Sequence, residues 1–197
     1  MKLTLARLRD TLLIALLATA IINLSPAGER ANCASAATLP SGLGWGMTAE
    51  ECRSRMQAAG YEIAVPDIPE ASADRALRSF ALVNGIRDLG FYRRTSAAAE
   101  RVALRLLDDA LFLVSVGYDD FGRGFRERAV EEISGHMGSN PRRLPTPNSD
   151  MDVFAWSAGV TSAQFGYREL PKLGLYFAQV EYRNIPVMSE LKRLGLQ

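Results

Sequence analysis

One histidine and two pairs of aspartates are the residues of this chain best suited to proton transfer or metal binding. His136 is the single histidine. It falls near the end of a stretch with helical periodicity, where a cation is favourable, so a capping or surface role is expected rather than catalysis. Asp108-Asp109 and Asp119-Asp120 would offer paired carboxylates for acid–base chemistry or calcium if they met in the fold. Aspartate also stabilises turns at strand ends, and that is the role expected here.

The remaining catalytic signals are isolated. Ser189 and Lys192 have the Ser-x-x-Lys spacing of penicillin-recognising enzymes but lack the further motifs that such sites need. The sequence has no metalloprotease motif, no Cys-x-x-Cys pair and no phosphate-binding glycine loop. We therefore predict a non-catalytic protein without a cofactor or a metal.

The chain has two cysteines, Cys33 and Cys52. If both persist in an oxidising compartment, a Cys33–Cys52 disulfide would join the N-terminal arm to the first helix and contribute about 3 kcal/mol. The alternative is that Cys52 is a small buried apolar residue on the inner face of that helix. The spacing favours this alternative.

Four aromatic residues are candidates for an exposed binding face: Trp45, Trp156, Tyr176 and Tyr182. Large aromatic side chains with a polar atom are common at protein interfaces. The same residues alternate within strand-like segments, a pattern that favours packing in the core.

The N-terminus has the parts of a secretory signal peptide. Basic residues precede an apolar run from Thr11 to Leu24, and small residues follow it. We predict a signal peptide over residues 1–27, or to residue 36, and therefore a periplasmic protein. The alternative is an inner-membrane anchor formed by an uncleaved N-terminal segment, although the run is shorter than the roughly 20 residues of a membrane span.

The charge of the chain limits the class of partner, and the length of residues 38–197 limits the number of domains. The whole chain has 23 basic and 22 acidic residues, and such balance argues against a nucleic-acid partner. The length suits a single domain, which could consist of two helix-plus-strands halves over residues 45–120 and 121–185.

Three helices are expected. Thr48 and Glu51 form a capping box for the first helix, which Gly60 ends. The second covers residues 125–137, where apolar residues recur every four positions and Gly138 follows. A short closing helix starts at Pro186.

Strands are expected between the helices. Residues 61–65 alternate, 79–83 and 89–93 flank the hairpin signal Asn84-Gly85, and 102–106 and 112–118 flank Asp108-Asp109. Residues 137–150 have a loop composition. Beyond them we predict three antiparallel strands over residues 154–182, with Pro171–Gly174 as the second turn. These elements predict an α+β fold, an antiparallel meander sheet with two main amphipathic helices packed on one face and a short C-terminal helix.

The segment Trp45-Gly-Met-Thr-Ala-Glu-Glu51 resembles a motif of small secreted bacterial proteins of the β-lactamase-inhibitor-like fold and of small outer-membrane assembly lipoproteins. In those proteins a glycine turn, a Thr or Ser cap and a Glu pair open a helix that packs on a meander. Trp156–Thr161, with the later Tyr182-Arg-Asn184, looks like their terminal hairpin. The resemblance implies a fold, and it transfers no functional residue because the matched positions are caps, turns and core.

The expected function is binding. We predict a secreted periplasmic interaction module whose partner is a protein of the cell envelope, bound through a sheet face or a strand edge. An inhibitor of a secreted hydrolase and an envelope-assembly accessory are two forms of this prediction. The alternative is a carrier of a small apolar ligand or a lipid, held in a pocket between the helices and the sheet.

Overall fold

The apolar alternation of the sequence builds one antiparallel sheet of eight strands in the computed structural model, which describes residues 37–64, 85–95, 99–119, 121–122, 124–146, 151–170 and 175–195. The strands run in chain order: β1 Glu62–Ile63, β2 Ile86–Arg94, β3 Ala99–Leu107, β4 Ala110–Asp119, β5 Arg142–Leu144, β6 Met151–Ala158, β7 Thr161–Leu170 and β8 Leu175–Asn184.

Three α-helices accompany the sheet in the described part of the chain: α1 Ala49–Ala58, α2 Phe125–Met137 and α3 Ile185–Arg193. The predicted capping box is present in α1, where Thr48 and Glu51 exchange side-chain and backbone bonds. Gly138 ends α2 with φ 61°, a left-handed conformation that glycine adopts without strain. Pro186 occupies the first turn of α3. An eight-stranded antiparallel sheet with three helices confirms the predicted α+β class.

The strand order has an internal symmetry. It runs β1-β2-β3-β4-β8-β7-β6-β5, so a four-stranded meander that follows α1 meets a second one that follows α2, and β4 pairs with β8 at the centre. In the centre of this pair Val116 lies opposite Val180. If the two meanders are exchanged by a two-fold rotation about the Val116–Val180 pair, Val116-Gly-Tyr118 takes the position of Val180-Glu-Tyr182.

The two faces of the sheet differ in burial. One row across five central strands consists of Val102, Val116, Val180, Phe165 and Phe154, and the first four are at most 4% exposed. We call this side the buried face. Its residues form one hydrophobic cluster with Cys52 and Met56 of α1 and with Ala129, Ile133 and Met137 of α2.

The hairpin between β3 and β4 also positions α1. Asp108 and Asp109 have φ values of 49° and 63°, as the two central residues of a type I′ turn require. The Asp109 carboxylate accepts a hydrogen bond from the Ala49 backbone N–H at 3.2 Å. The turn therefore satisfies one of the free N–H groups at the start of α1.

The structure corrects the prediction that residues 137–150 are entirely loop. Arg142–Leu144 form the edge strand β5, paired with residues 153–155 of β6. A three-residue strand of this composition has no local signal, because it is held by the hydrogen bonds of its neighbour.

Some predicted elements cover residues that the structure does not describe. The signal peptide over residues 1–27 or 1–36, the strand 79–83 and the turn at 171–174 lie outside the described residues. The predicted strand 89–93 is part of β2, whose described hairpin partner is β3. No helix among the described residues is both long enough and apolar enough to cross a membrane.

Candidate functional site: a sheet groove and a polar cavity

The second side of the sheet, which we call the open face, carries polar and small residues at its centre, while the apolar Val153 on β6 is only 5% exposed. Its central row is Arg101, Gly117, Gln179, Gly166 and Val153. The adjacent row is Ala103, Ser115, Glu181, Gln164 and Ala155. These side chains are the alternate positions of the strands whose other residues form the core.

Glycines lower the middle of this face. A Cβ placed on Gly117 would have the Arg101 carbonyl oxygen as its nearest neighbour at 3.9 Å, and one placed on Gly166 would have Met151 Cε at 3.6 Å. Both are ordinary van der Waals distances, so a Cβ would fit at either position, and each glycine leaves the sheet without a side chain there. Two adjoining depressions of about 550 and 1000 Å³ result, and they share Arg101, Gly117, Gln179 and Glu181. We call the combined depression the sheet groove.

Charges of both signs line the sheet groove in equal number. Four are arginines and four are carboxylates: Arg101, Arg105, Arg168 and Arg183, and Glu62, Asp88, Asp119 and Glu181. Many of them pair across neighbouring strands. The closest nitrogen–oxygen distances are 2.8 Å for Arg101 with Asp119 and 2.9 Å for Arg105 with Asp88.

These pairs fix the arginine side chains before any partner arrives. The bond to Asp88 raises the pKa of Arg105, and Arg183 is bonded to Glu181. Gln179 Nε2 donates to Ser115 Oγ at 2.9 Å. The open face therefore presents an ordered polar surface with one large exposed aromatic side chain, Phe177, which is 54% exposed.

A second site lies beside the buried face. It is a cavity of about 340 Å³, and we call it the polar cavity. Met56 and Ala59 line it from α1 and its C-cap, and Glu132, Ile133 and His136 line it from α2. Val102 and Val116 are apolar parts of its wall from the sheet.

One corner of the polar cavity is a hydrogen-bonded cluster. Glu100 Oε2 accepts from Tyr61 Oη at 2.6 Å and from Arg93 Nη2 at 2.7 Å. Arg93 Nη1 also donates to the Ala59 carbonyl oxygen at 3.0 Å, and its guanidinium carbon lies 4.2 Å from the centroid of the Tyr61 ring. Arg93 is thus fully engaged by groups of the protein itself.

Two further tyrosines line the polar cavity. Burial and the nearby charge of Glu132 raise the pKa of Tyr182 and of Tyr118. Tyr182 is 2% exposed. Both phenols stay protonated and can donate as well as accept a hydrogen bond.

The predicted aromatic face is divided between different parts of the fold. Trp156 is 3% exposed and Tyr182 is 2% exposed, so both lie in the core, as the alternative interpretation had it. Trp45 packs against the core, and its indole N–H donates to Thr161 Oγ1 at 2.8 Å. Tyr176 alone is 42% exposed, with its ring 5.6 Å from that of Phe121. These four residues form no common exposed surface.

The two aspartate pairs do not meet. Asp108 and Asp109 follow β3 at one end of β4, and Asp119 ends β4 at the other, about 30 Å away at the rise of a strand. Paired-carboxylate chemistry between these positions is therefore wrong as a hypothesis. Asp120 lies outside the described residues. Among the described residues no three His, Cys, Asp or Glu side chains are grouped closely enough to hold a metal ion.

His136 and Cys52 occupy structural positions. The His136 carbonyl oxygen accepts from the Thr38 N–H at 2.8 Å, and its ring Nδ1 lies 3.1 Å from Thr38 Oγ1. Cys52 is fully buried, and burial raises the pKa of its thiol to about 11. Cys33, its proposed disulfide partner, lies outside the described residues, so the pairing stays a prediction.

Apart from Asp119 in the groove and His136 and Tyr182 in the cavity, sequence reasoning did not single out the polar residues of the two sites. Gln179 and Glu181 could have been found as the polar alternates of the apolar strand positions 178, 180 and 182. Tyr118 has a signal in the repeated Val-x-Tyr of β4 and β8. Glu100 and Glu132 have none, because their approach to one cavity depends on tertiary packing.

Comparisons with protein-family models, with curated proteins and with solved structures gave no match to this chain. The resemblance carried by residues 45–51 therefore stays a prediction.

Proposed function

We propose that this protein is an exported, non-catalytic binding module that holds a protein partner in the sheet groove. The proposal rests on a structural difference between the two faces of the sheet. The alternate residues of the buried face form the core, whereas those of the open face line one continuous groove across the centre of the sheet. We also infer that α1 and α2 both cover the buried face, since Met56 and Ile133 line a cavity with Val116.

The size of the open face suits a protein interface. The six strands of eight to ten residues, spaced by about 4.8 Å, give a width of about 24 Å and a length of about 30 Å. The face therefore offers on the order of 700 Å², close to the roughly 800 Å² that a standard interface buries on each partner.

The chemistry of the groove also favours a protein. Equal numbers of arginines and carboxylates would repel as much of a nucleic-acid backbone as they attract. A protein segment with charges of both signs and an apolar residue could exchange ion pairs with Arg101 and Asp119 and pack on Phe177. Arginine and aromatic side chains are the residues that most often dominate binding energy at interfaces.

Export and the absence of catalysis belong to the same proposal. The N-terminal sequence pattern supports export to the periplasm, with an uncleaved membrane anchor as the alternative. The intact mass of the native protein, measured with and without thiol alkylation, distinguishes a cleaved signal peptide from an uncleaved anchor. A mass that includes residue 1 would overturn cleavage. The dispersed aspartate pairs and the buried Cys52 thiol support a non-catalytic role.

The test is to fill the groove. Gly117→Trp and Gly166→Trp place a large side chain in the centre of the open face, where an added Cβ would meet its nearest neighbours at the ordinary distances of 3.9 and 3.6 Å. Gly135→Trp is the matched control, because Gly135 is an exposed residue of α2 with no atom within 4 Å of an added Cβ.

We expect tagged wild-type protein and Gly135→Trp to recover the same partner from extracts of expressing cells, quantified by mass spectrometry. The two groove variants should recover at least about tenfold less, which corresponds to a loss of about 1.4 kcal/mol or more. Their thermal unfolding midpoints should match that of the wild type. Retention of the partner by a folded Gly117→Trp variant would overturn the proposal.

A second candidate function is the transport of a small ligand, and the polar cavity favours it. A volume of about 340 Å³ lies at the lower end of the range for ligand sites. A carrier of an apolar ligand would retain that ligand during gentle purification. Native mass spectrometry that shows only the bare chain would contradict it.

A further inference from the structure

The polar cavity contains acceptor atoms that have no hydrogen-bond partner among the described residues. All three hydrogen bonds of the Glu100 carboxylate, two from Arg93 and one from Tyr61, end on Oε2. Its other oxygen makes no hydrogen bond to a described residue. The Glu132 carboxylate approaches His136 Nε2 only to 3.9 Å, which is too far for a hydrogen bond.

The hydroxyls of two tyrosines, Tyr118 and Tyr182, also make no hydrogen bond to another described residue. Ser139 Oγ is the one fully enclosed side-chain polar atom without a partner in the described part of the chain. Tyr182 lines the cavity, although its residue is only 2% exposed.

The balance of charge in the cavity is negative. Two carboxylates, Glu100 and Glu132, face one guanidinium, that of Arg93. Arg93 is already held by Glu100, by the Ala59 carbonyl and by the face of the Tyr61 ring. Among the described residues of the cavity, an anion would find no lysine or second arginine, whereas a cation would find a carboxylate oxygen and two aromatic rings.

From this arrangement we propose that the polar cavity binds a small organic cation, an amine or a quaternary ammonium group. Glu100 and Glu132 supply the opposite charge, and Tyr118 and Tyr182, which line the cavity, supply aromatic rings of the kind that attract such cations. Glu132 marks the mouth, since its side chain is 68% exposed, while the Glu100 side chain is 16% exposed and lies deeper.

This site is independent of the sheet groove. It lies beside the buried face and shares with the groove only Val102 and Tyr118 among its lining residues. The size of the cavity limits the ligand to a small molecule rather than a peptide. A protein partner on the open face and a cation in the cavity could therefore be bound by the same molecule.

The test uses choline and 3,3-dimethyl-1-butanol, which have the same shape and differ in charge. Calorimetric titration of the full mature protein should show that choline binds at least about tenfold more tightly than the neutral alcohol. Glu132→Gln should weaken choline binding by about fivefold or more, and Tyr182→Phe should weaken it by a smaller factor. Glu131→Gln is the matched control, because Glu131 is an exposed neighbour on α2 that does not line the cavity.

The outcomes separate the two proposals. Equal affinity for choline and the alcohol, no choline binding, or unchanged affinity in a folded Glu132→Gln variant would each overturn the cation site. Gly117→Trp should bind choline as the wild type does. Loss of the protein partner in that variant, with choline binding intact, would support both sites separately.

Discussion

The two faces of the central sheet are made by the same strands and differ in what each residue must do. On the buried face, Val116 and Val180 meet at the centre of the sheet and are at most 3% exposed. One position further along each strand, Gly117 and Glu181 lie on the open face beside a groove. Stability and the proposed binding can therefore be assigned to alternate residues of a single strand, because neighbouring side chains point to opposite sides.

The largest expected difference is in the core. Phe165 is fully buried, with its ring 6.4 Å from that of Phe154. Phe165→Ala should lower the free energy of unfolding by about 3–5 kcal/mol, because it removes apolar contacts and leaves a cavity. Urea denaturation measures this change. Gln164→Ala, at the neighbouring exposed position, should alter it by less than about 0.5 kcal/mol, and comparable losses in both variants would refute the division of the faces.

A smaller difference is expected between two ion pairs. Asp152 is bonded to Arg126 at 2.7 Å and to Arg143, and its side chain is 14% exposed. Asp88, the partner of Arg105 on the open face, is 56% exposed. Asp152→Asn should cost about 1–2 kcal/mol at neutral pH, and Asp88→Asn less than about 0.5 kcal/mol.

The pH dependence of the Asp152 effect follows from its pKa. Burial alone would raise the pKa of Asp152, but the bonds to Arg126 and Arg143 lower it below the ordinary value of 3.8. A group with a lowered pKa stabilises the folded state above its unfolded pKa and loses this effect as the pH falls through its folded pKa. The unfolding free energies of wild type and Asp152→Asn should therefore differ at pH 7 and converge below pH 3.8. A difference that persists unchanged in acid would contradict this origin.

Much of the fold was predictable because its signals are local. The capping box at Thr48, the Asp108-Asp109 turn and the four-residue periodicity of α2 each specify an element by short-range chemistry. The edge strand β5 was not predictable, since its hydrogen bonds come from β6. The pairing of β4 with β8 also has no local signal, because it joins residues 64 apart, such as Val116 and Val180.

The sites were less predictable than the fold. The large aromatic residues attract attention in the sequence, yet Trp156 and Tyr182 serve the core. The groove includes Gly117 and Gly166, which come close only when β4, β8 and β7 are aligned. The polar cavity depends on Glu100 and Glu132, which come from β3 and α2 and are brought together by packing.

The most direct test of the central claim places a photo-crosslinking amino acid on each side of the molecule in living cells. Gln179 lies in the sheet groove, and Glu131 is an exposed residue on α2. Irradiation should give a discrete protein adduct from position 179 and none from position 131, because the proposal places the partner on the open face. An adduct from position 131 with none from position 179 would contradict the account and assign binding to the helical side.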